Sequence, residues 1–421
     1  MTNSAELHQH DHYQVIVIGA GPAGIACATE LRRRGIENIV LIERESKAGG
    51  IPRHCAHSPF GLREFRRYYT GPRYAENLVR RARIHGVKIL TNTTVVKLGS
   101  SGALLIASPV GTREIYAERV VISTGARETP RSARLISGSR SMGITTTGAL
   151  QSMVYLQNKT PFRRPIIVGT ELVSFSALLT CRHAGIRPAA ISESQSRVTA
   201  WMGSGMLAKA LGIPLKLNTK IQDIVGRERV QEVHTRTSDG QHEIIPCDGV
   251  VFTGQFLPEV ALLRNGHLEI DSGTGGPVVD QFGRCSDPTY FTCGNVVRPV
   301  ETAGWCWYEG VQTARHVVAS LAAQLPTPAI RIPVYCADTA IKYVVPQVVS
   351  VSRTAATLSG LPSFQLRVSK AVNGNLRLTG NQETLISSRV RSLPERRILL
   401  PTKSVVIPPA VDHLALNIDT N

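Results

Sequence analysis

Short runs of consecutive apolar residues recur along this chain, separated by glycine turns and amphipathic stretches. That order predicts parallel strands joined by helices. Tyr13–Ile18 reads YQVIVI, a run suited to a strand buried on both faces. It leads into Gly19-Ala20-Gly21-Pro22-Ala23-Gly24 and then IACATELRRR, a helical pattern that Gly35 can end. Asn38–Ile42 predicts the next strand, and Glu43 follows it directly. Similar runs stand at Val120–Gly125 (VVISTG), Pro165–Val168, Ala189–Ile191, Gly249–Gly254 (GVVFTG) and Thr289–Cys293 (TYFTC). A long helical pattern from Thr302 to Leu325 places Val311, Ala314, Val318, Leu321 and Leu325 at helical spacing. Beyond it come PTPAIRIPV and β-rich pieces at Val344–Val351, Phe364–Val368, Leu376–Leu378 and Arg397–Leu400. Gly360, Gly374 and Gly380 punctuate these pieces, and Pro401, Pro408 and Pro409 break the tail, so a small α+β or β-rich domain is expected.

The first of these units carries chemistry. Gly19 permits the tight turn, Gly21 lets backbone approach a pyrophosphate, and Gly24 allows close helix–strand packing. Pro22 and Ala23 complete the turn, and the unpaired N–H groups of the helix start face the anion. Glu43, 24 residues after Gly19, can accept from a ribose 2′-OH. A second such unit opens after Val168 with Gly169-Thr170-Glu171-Leu172-Val173-Ser174 and runs helically to Ala184, ended by Gly185. Here Glu171 stands at the second glycine position and Ser174 at the third. An acidic side chain on that turn crowds and repels a pyrophosphate, so the fold is expected to persist without its dinucleotide. Glu193, after the following strand, keeps an NADH alternative open.

Composition narrows the class. With 421 residues, 42% apolar and 19% charged, the chain has material for two or three packed domains and is no disordered or fibrous protein. Eight Cys include no Cys-x-x-Cys pair, which excludes a thioredoxin-type dithiol, a four-cysteine zinc knuckle and the usual iron–sulfur runs. Free thiols fit a reducing cytosol. No apolar stretch reaches the roughly 18 residues of a transmembrane span. The first twelve residues are polar, so a cytoplasmic location is expected, with peripheral membrane association left open. The net charge of +17 is dispersed, with only short runs such as Arg32–Arg34 and Arg396–Arg397. That pattern speaks against nucleic acid and suits cofactor phosphates, acidic small molecules or an acidic partner. His54, Cys55 and His57 lack a fourth ligand at zinc spacing, so no metal is expected. No pairing reads as a general base over a substrate, and no catalytic residue is assigned.

The Gly19–Gly24 turn, its acid and Gly49-Gly50 resemble the FAD site of the pyridine nucleotide–disulfide oxidoreductase and thioredoxin reductase superfamily. VVISTG resembles the crossover segment of that fold, with Ser123 in place of Ala, and GVVFTG the strand that returns the chain to the FAD domain. Gly294-Asn295 resembles the Gly-Asp pair that holds the ribityl chain, with Asn in place of Asp. The resemblance implies an α/β flavoprotein with two dinucleotide-binding domains, the second inserted in the first, plus the C-terminal domain. The boundaries it implies are 13–130 and 246–325 for the FAD domain, 131–245 for the insert and 326–421 for the remainder.

The loop GGIPRHCAHSPFGLREF (Gly49–Phe65) and TCGNVVRPVETAGW (Thr292–Trp305) narrow this further. They are similar to the FAD-containing larger subunit of bacterial multisubunit amine and amino-acid dehydrogenases. That group includes opine oxidase A subunits, the hydrogen cyanide synthase B subunit, plus the D-hydroxyproline dehydrogenase alpha subunit. The resemblance implies FAD held by Gly19, Gly21, Pro22, Ala23, Gly24, Glu43, Gly50, Arg53, His54, Gly125, Gly294 and Asn295. Trp305, Trp307 and Tyr308 become candidates to wall the isoalloxazine, and His57 and Glu301 for an electron exit. Cys55 and Cys293 either touch the flavin or are inert buried thiols.

Several relatives bind [2Fe–2S] in a C-terminal cysteine-rich domain, whereas only Cys336 follows Leu325 here. The resemblance therefore points to the short D-hydroxyproline dehydrogenase alpha subunit, relaying electrons to an external acceptor. It implies a beta-like amino-acid-oxidising flavoprotein, a small gamma-like subunit with [2Fe–2S], and FMN at a subunit interface; NAD(P) is not expected. A self-sufficient NAD(P)H-dependent flavin or ferredoxin reductase stays open, as does a subunit of an opine, glycine or other amine dehydrogenase.

Overall fold

A strand buried on both faces needs apolar residues at every position, and four such runs form the centre of the first unit. In the computed structural model, residues 11–200, 202–326, 330–351, 360–402, 405–408 and 411–420 are described; the polar first ten residues and Pro409 lie outside them. The chain divides into two units, one of residues 1–50, 75–126 and 258–421, the other of residues 51–74 and 127–257.

In the first unit the strand His12–Ile18 lies between Ile39–Ile42 and Gly111–Ile122, parallel to both. Tyr290–Thr292 adds in parallel beyond Gly111–Ile122, pairing Tyr290 with Val120 and Thr292 with Ile122. Lys88–Leu90, Thr94–Leu98 and Ala103–Ser108 complete a seven-stranded sheet. The first helix, Pro22–Arg33, starts at the end of the first strand and packs along the long helix Ala303–Leu321. Their approach is close: a Cβ on Gly310 would lie 2.1 Å from the carbonyl oxygen of Ala23.

Residues 330–420 of this unit are all-β where described, which settles the α+β or β-rich expectation for the described part. Five strands run in the order Val348–Val351, Ile330–Cys336, Leu414–Thr420, Val372–Gly380 and Glu383–Ser392, with three more in a second sheet. Phe364, Leu366, Leu378, Leu414 and Leu416 anchor one apolar core between them. Gln347 and Ser350 tie this domain back to the flank of the first: Gln347 Oε1 accepts from Val279 N–H at 3.1 Å, and Ser350 O from Gln281 Nε2 at 2.6 Å.

The second unit is built on five parallel strands, Leu215–Lys216, Ala190–Ser192, Pro165–Val168, Gly249–Phe252 and Ile144–Thr146 in spatial order. Ile166 and Ile167 pack into different apolar clusters, so this sheet is covered on both faces. The helix Leu172–His183 follows Pro165–Val168. One expectation is corrected here. Gly249–Phe252 pairs with Pro165–Val168 inside this sheet and does not return the chain to the first unit; the return comes after Leu257. The first unit's stretches 75–126 and 258–421 flank residues 127–257 of this one, and the loop 51–74 clusters with this unit. Four apolar residues in a row look alike in either sheet, and only the pairing distinguishes them. Among the described residues no helix is long and apolar enough to cross a membrane.

Candidate functional site

The glycine turn after the first strand is shaped by contacts too close for side chains. A Cβ on Gly24 would lie 1.9 Å from the Gly19 carbonyl oxygen and 2.4 Å from Ser123 Oγ. Ser123 Oγ donates to the carbonyls of Ile18 and Gly19, both at 2.9 Å, so the end of the neighbouring strand braces the turn. Gly21 is the helix N-cap, extended, with no side chain capping it, and Pro22 occupies the first turn. A Cβ on Gly21 would meet no atom within 4 Å, which leaves room over the turn where helix N–H groups point.

Glu43 and Gly50 converge on that turn. The Glu43 carboxylate is buried and accepts from Ala20 N–H at 3.0 Å and Glu45 N–H at 2.9 Å. Gly49 N–H donates to Ala20 O at 2.8 Å, and a Cβ on Gly50 would come 2.8 Å from the Gly21 Cα. Gly125 follows the brace strand, and its carbonyl accepts from Glu259 N–H at 2.8 Å. The uncapped helix start, the open space over Gly21 and the oriented acid fit a diphosphate with an adjoining ribose. Gly19, Gly21, Pro22, Ala23, Gly24, Glu43 and Gly50 are therefore brought together around one turn.

Gly294 joins them from a distant part of the chain, since a Cβ there would lie 2.8 Å from Ala23 Cβ in the first helical turn. Its neighbour is engaged locally. The Asn295 amide donates to Glu301 O at 3.1 Å and accepts from Glu301 N–H at 2.7 Å. That reciprocal pair closes the loop before the long helix and commits one donor and one lone pair of Asn295, leaving one of each for a hydroxyl. Trp305 is engaged as well: the Arg397 guanidinium covers its ring at 3.9 Å from the centroid, and Tyr308 meets it edge-on at 5.8 Å. Trp307 lines a groove beside Ile25, Ala26 and Thr29 of the first helix. Cys293 is buried, and a hydrogen bond with Cys27, then burial, hold its thiol protonated.

The remaining loop candidates belong to the second unit. Arg53 and His57 are half-buried there, with His57 against the Phe60 ring at 5.5 Å. His54 is buried and its Nδ1 has no partner; burial, then the Arg53 charge, lowers its pKa from the ordinary 6.5 to about 4 against a hydrogen bond with Gln151. Cys55 Sγ donates to Gln151 Oε1 at 3.4 Å, and burial pushes its thiol up to about 12, an inert state at neutral pH. Because unfolded His54 binds a proton between pH 6.5 and 4 that the folded chain refuses, stability is expected to fall as pH drops through that window. The loss reaches about 3 kcal/mol and is absent from His54→Gln, as unfolding free energies measured against pH will show.

The second nucleotide fold repeats the first with Thr170, Glu171 and Ser174 in place of Ala20, Gly21 and Gly24. Gln195 N–H donates to Glu193 Oε1 at 2.9 Å, just as Glu45 N–H does to Glu43. Thr170 stands where the first turn has Ala20, and its hydroxyl donates to Glu193, as does Thr199 Oγ1 at 3.3 Å. Glu171 is the N-cap of the second helix, the place Gly21 holds in the first. Its carboxylate folds back over the turn, 3.1 Å from Thr253 Oγ1 and 3.4 Å from Ser174 Oγ, and against Gly254, where a Cβ would meet Oε1 at 2.2 Å. Burial raises its pKa, with the Arg134 charge opposing. Glu193 thus already accepts from hydroxyls and a backbone N–H of the chain, and the Glu171 carboxylate covers the turn that Gly21 leaves open in the first fold. The contrast of Ala20 with Thr170 carries this signal in the sequence; Thr199 has none.

Two further residues were not legible at all. Arg298, fully buried, donates to Glu309 Oε2 at 3.1 Å and to Gly294 O at 3.3 Å, while Glu309 Oε2 accepts from Gly294 N–H at 3.2 Å. Burial works against the guanidinium's charge, but the Glu309 carboxylate outweighs it and holds Arg298 charged.

The family model for pyridine nucleotide-disulphide oxidoreductases matches residues 13–319. The opine oxidase A subunit of Agrobacterium tumefaciens is 24% identical over 317 residues, covering 68% of this chain and 61% of that protein. Hydrogen cyanide synthase subunit HcnB of Pseudomonas protegens is 29% identical over 191 residues, 42% of this chain and 38% of its own length. The chain therefore spans less than two thirds of these relatives. Among solved structures, the thioredoxin reductase of T. acidophilum superposes with a TM-score of 0.62 at 20% identity, covering 74% of this chain and 99% of that one. That likeness shows a fold of two dinucleotide-binding domains.

Proposed function

This chain belongs to the pyridine nucleotide-disulphide oxidoreductase family and is an FAD-dependent oxidoreductase, and we propose that it is the electron-transfer subunit of an assembly that oxidises an amino or imino acid. The single observation that carries this reading is the second nucleotide fold, in which Glu171 lies over the glycine turn and Thr170 and Thr199 occupy Glu193. Bound FAD supplies the electron exchange itself. The chain's own residues hold it: the helix start at Gly21–Gly24 faces the diphosphate, Glu43 takes the ribose, and Gly294 with Asn295 adjoin the next portion. A second fold closed to NAD(P)H leaves another polypeptide as the electron source. The likeness to proteins named as subunits supports that division of labour.

Within such assemblies a dye-linked D-hydroxyproline dehydrogenase fits best. Residues 326–421 contain one thiol, Cys336, too few to hold a [2Fe–2S] cluster themselves; this reading adds such a cluster on a small gamma-like subunit and FMN at the interface to a beta-like catalytic flavoprotein. An opine, glycine or other amine is the alternative substrate. A self-sufficient NAD(P)H-dependent reductase is the second reading, resting on the position of Glu193 directly after the strand Ala190–Ser192, as Glu43 follows Ile39–Ile42 in the first fold.

The deciding experiment is purification of the native assembly followed by anaerobic mixing with NADH and NADPH. The expected result is an amine-oxidase-like chain and a small iron–sulfur chain co-purifying, with this chain's flavin unbleached by either nucleotide. A chain that purifies alone, its flavin bleached by one equivalent of NAD(P)H, would establish the reductase instead.

A further inference from the structure

We propose that the C-terminal β domain completes the cofactor site, with Gln365, Arg367 and Arg397 holding the Gly294–Trp305 segment in its shape and charge and Arg298 as the positioning residue between them and bound FAD. The proposal rests on the FAD assignment above. Gly294 packs on Ala23 in the first turn of the phosphate helix, so the segment that starts there borders the site by geometry. Both backbone polar groups of Gly294 are held by one ion pair, its N–H by Glu309 and its carbonyl by Arg298.

The outer edge of that same guanidinium belongs to the β domain. Nε and Nη2 of Arg298 donate to Gln365 Oε1 at 3.1 and 3.0 Å. Two residues along the same strand, Arg367 Nη2 donates to Val300 O at 2.8 Å and stands 3.6 Å from Glu301. Arg397 reaches the other Glu301 oxygen at 3.2 Å while stacking on Trp305. Tyr343 of the same domain donates its hydroxyl to Pro299 O at 3.1 Å. Residues 298, 299, 300, 301 and 305 are thus each gripped by a side chain from beyond residue 340.

The grip also sets a charge. Arg298, Arg367 and Arg397 face Glu301 and Glu309, three cations against two carboxylates in a partly buried cluster beside the site. Reduction adds negative charge to a flavin, so a net cation there stabilises the reduced form. Gln365 acts on the same site through position: without its carbonyl, two Arg298 donors lose their acceptor and the hold on Gly294 loosens.

The test uses the full chain loaded with FAD, measuring flavin dissociation by fluorescence and the reduction midpoint by dye equilibration. Gln365→Leu is expected to weaken FAD binding about tenfold. Arg397→Gln is expected to shift the reduced-to-oxidised ratio at fixed potential about tenfold toward oxidised, about 30 mV for a two-electron couple. Arg397→Lys, which keeps the charge, restores the midpoint. Gln365→Glu, isosteric and one charge more negative, moves the midpoint in the same direction as Arg397→Gln even if the leucine variant does not fold. Arg377→Gln, whose partner Asp419 is half-exposed in the same domain, leaves both readouts unchanged. FAD affinity and midpoint unaltered in Gln365→Glu and Arg397→Gln would overturn the proposal while leaving the FAD assignment standing. A wild-type chain without FAD would instead remove the assignment beneath it.

Discussion

Gly24→Ala is expected to yield a chain that carries no FAD and unfolds well below the wild-type temperature. The added methyl would lie 1.9 Å from the Gly19 carbonyl oxygen, and that atom is backbone, so no rotamer relieves the clash. The helix must lift off the turn that Ser123 braces, which costs more than the about 1–3 kcal/mol typical of one extra buried methylene. Gly21→Ala separates the two effects. Its Cβ meets no protein atom and its φ of −80° suits alanine, so the chain keeps its melting temperature. The methyl instead enters the space assigned to the diphosphate, and FAD is lost. Flavin-to-protein absorbance and thermal melts of both variants check this pair. A Gly21→Ala chain that retains full FAD would place the diphosphate elsewhere.

Arg298→Met should be destabilising by about 3–5 kcal/mol, because it strands the Glu309 carboxylate beside a buried glycine turn. The side chain it removes is 2% exposed and its partner 18%, so little water can replace the lost charge. Adding Glu309→Gln should recover most of the loss at neutral pH, since the carboxamide still accepts from Gly294 N–H and carries no charge. Denaturant unfolding of the single and double variants at pH 7 measures both the loss and its recovery. Equal stability of Arg298→Met and wild type would mean that this pair does not organise the turn.

The phosphate turn was legible because all its parts lie within one short stretch: apolar strand, glycines, helix and acid. Each part acts on its immediate neighbours, and the structure brings Gly19 through Glu43 together where that spacing expects them. Glu171 was legible as an intruder for the same reason. Its destination was not, since folding back onto Thr253 and Gly254 depends on a strand that begins 78 residues later. Asn295 shows the converse: its type suggested a ribityl contact, and a loop closure on Glu301 takes up half of its amide.

The sequence by itself determined that this is a flavoprotein with one intact and one altered dinucleotide turn, because both are chain-local patterns of small, apolar and acidic residues. The tertiary structure decided that Gly249–Phe252 joins the second sheet, that hydroxyls engage Glu193, and that the β domain grips the loop after Gly294. Those outcomes rest on side chains meeting across long stretches of chain, and buried partners such as Arg298 and Gln365 leave no periodicity or spacing by which either could announce the other.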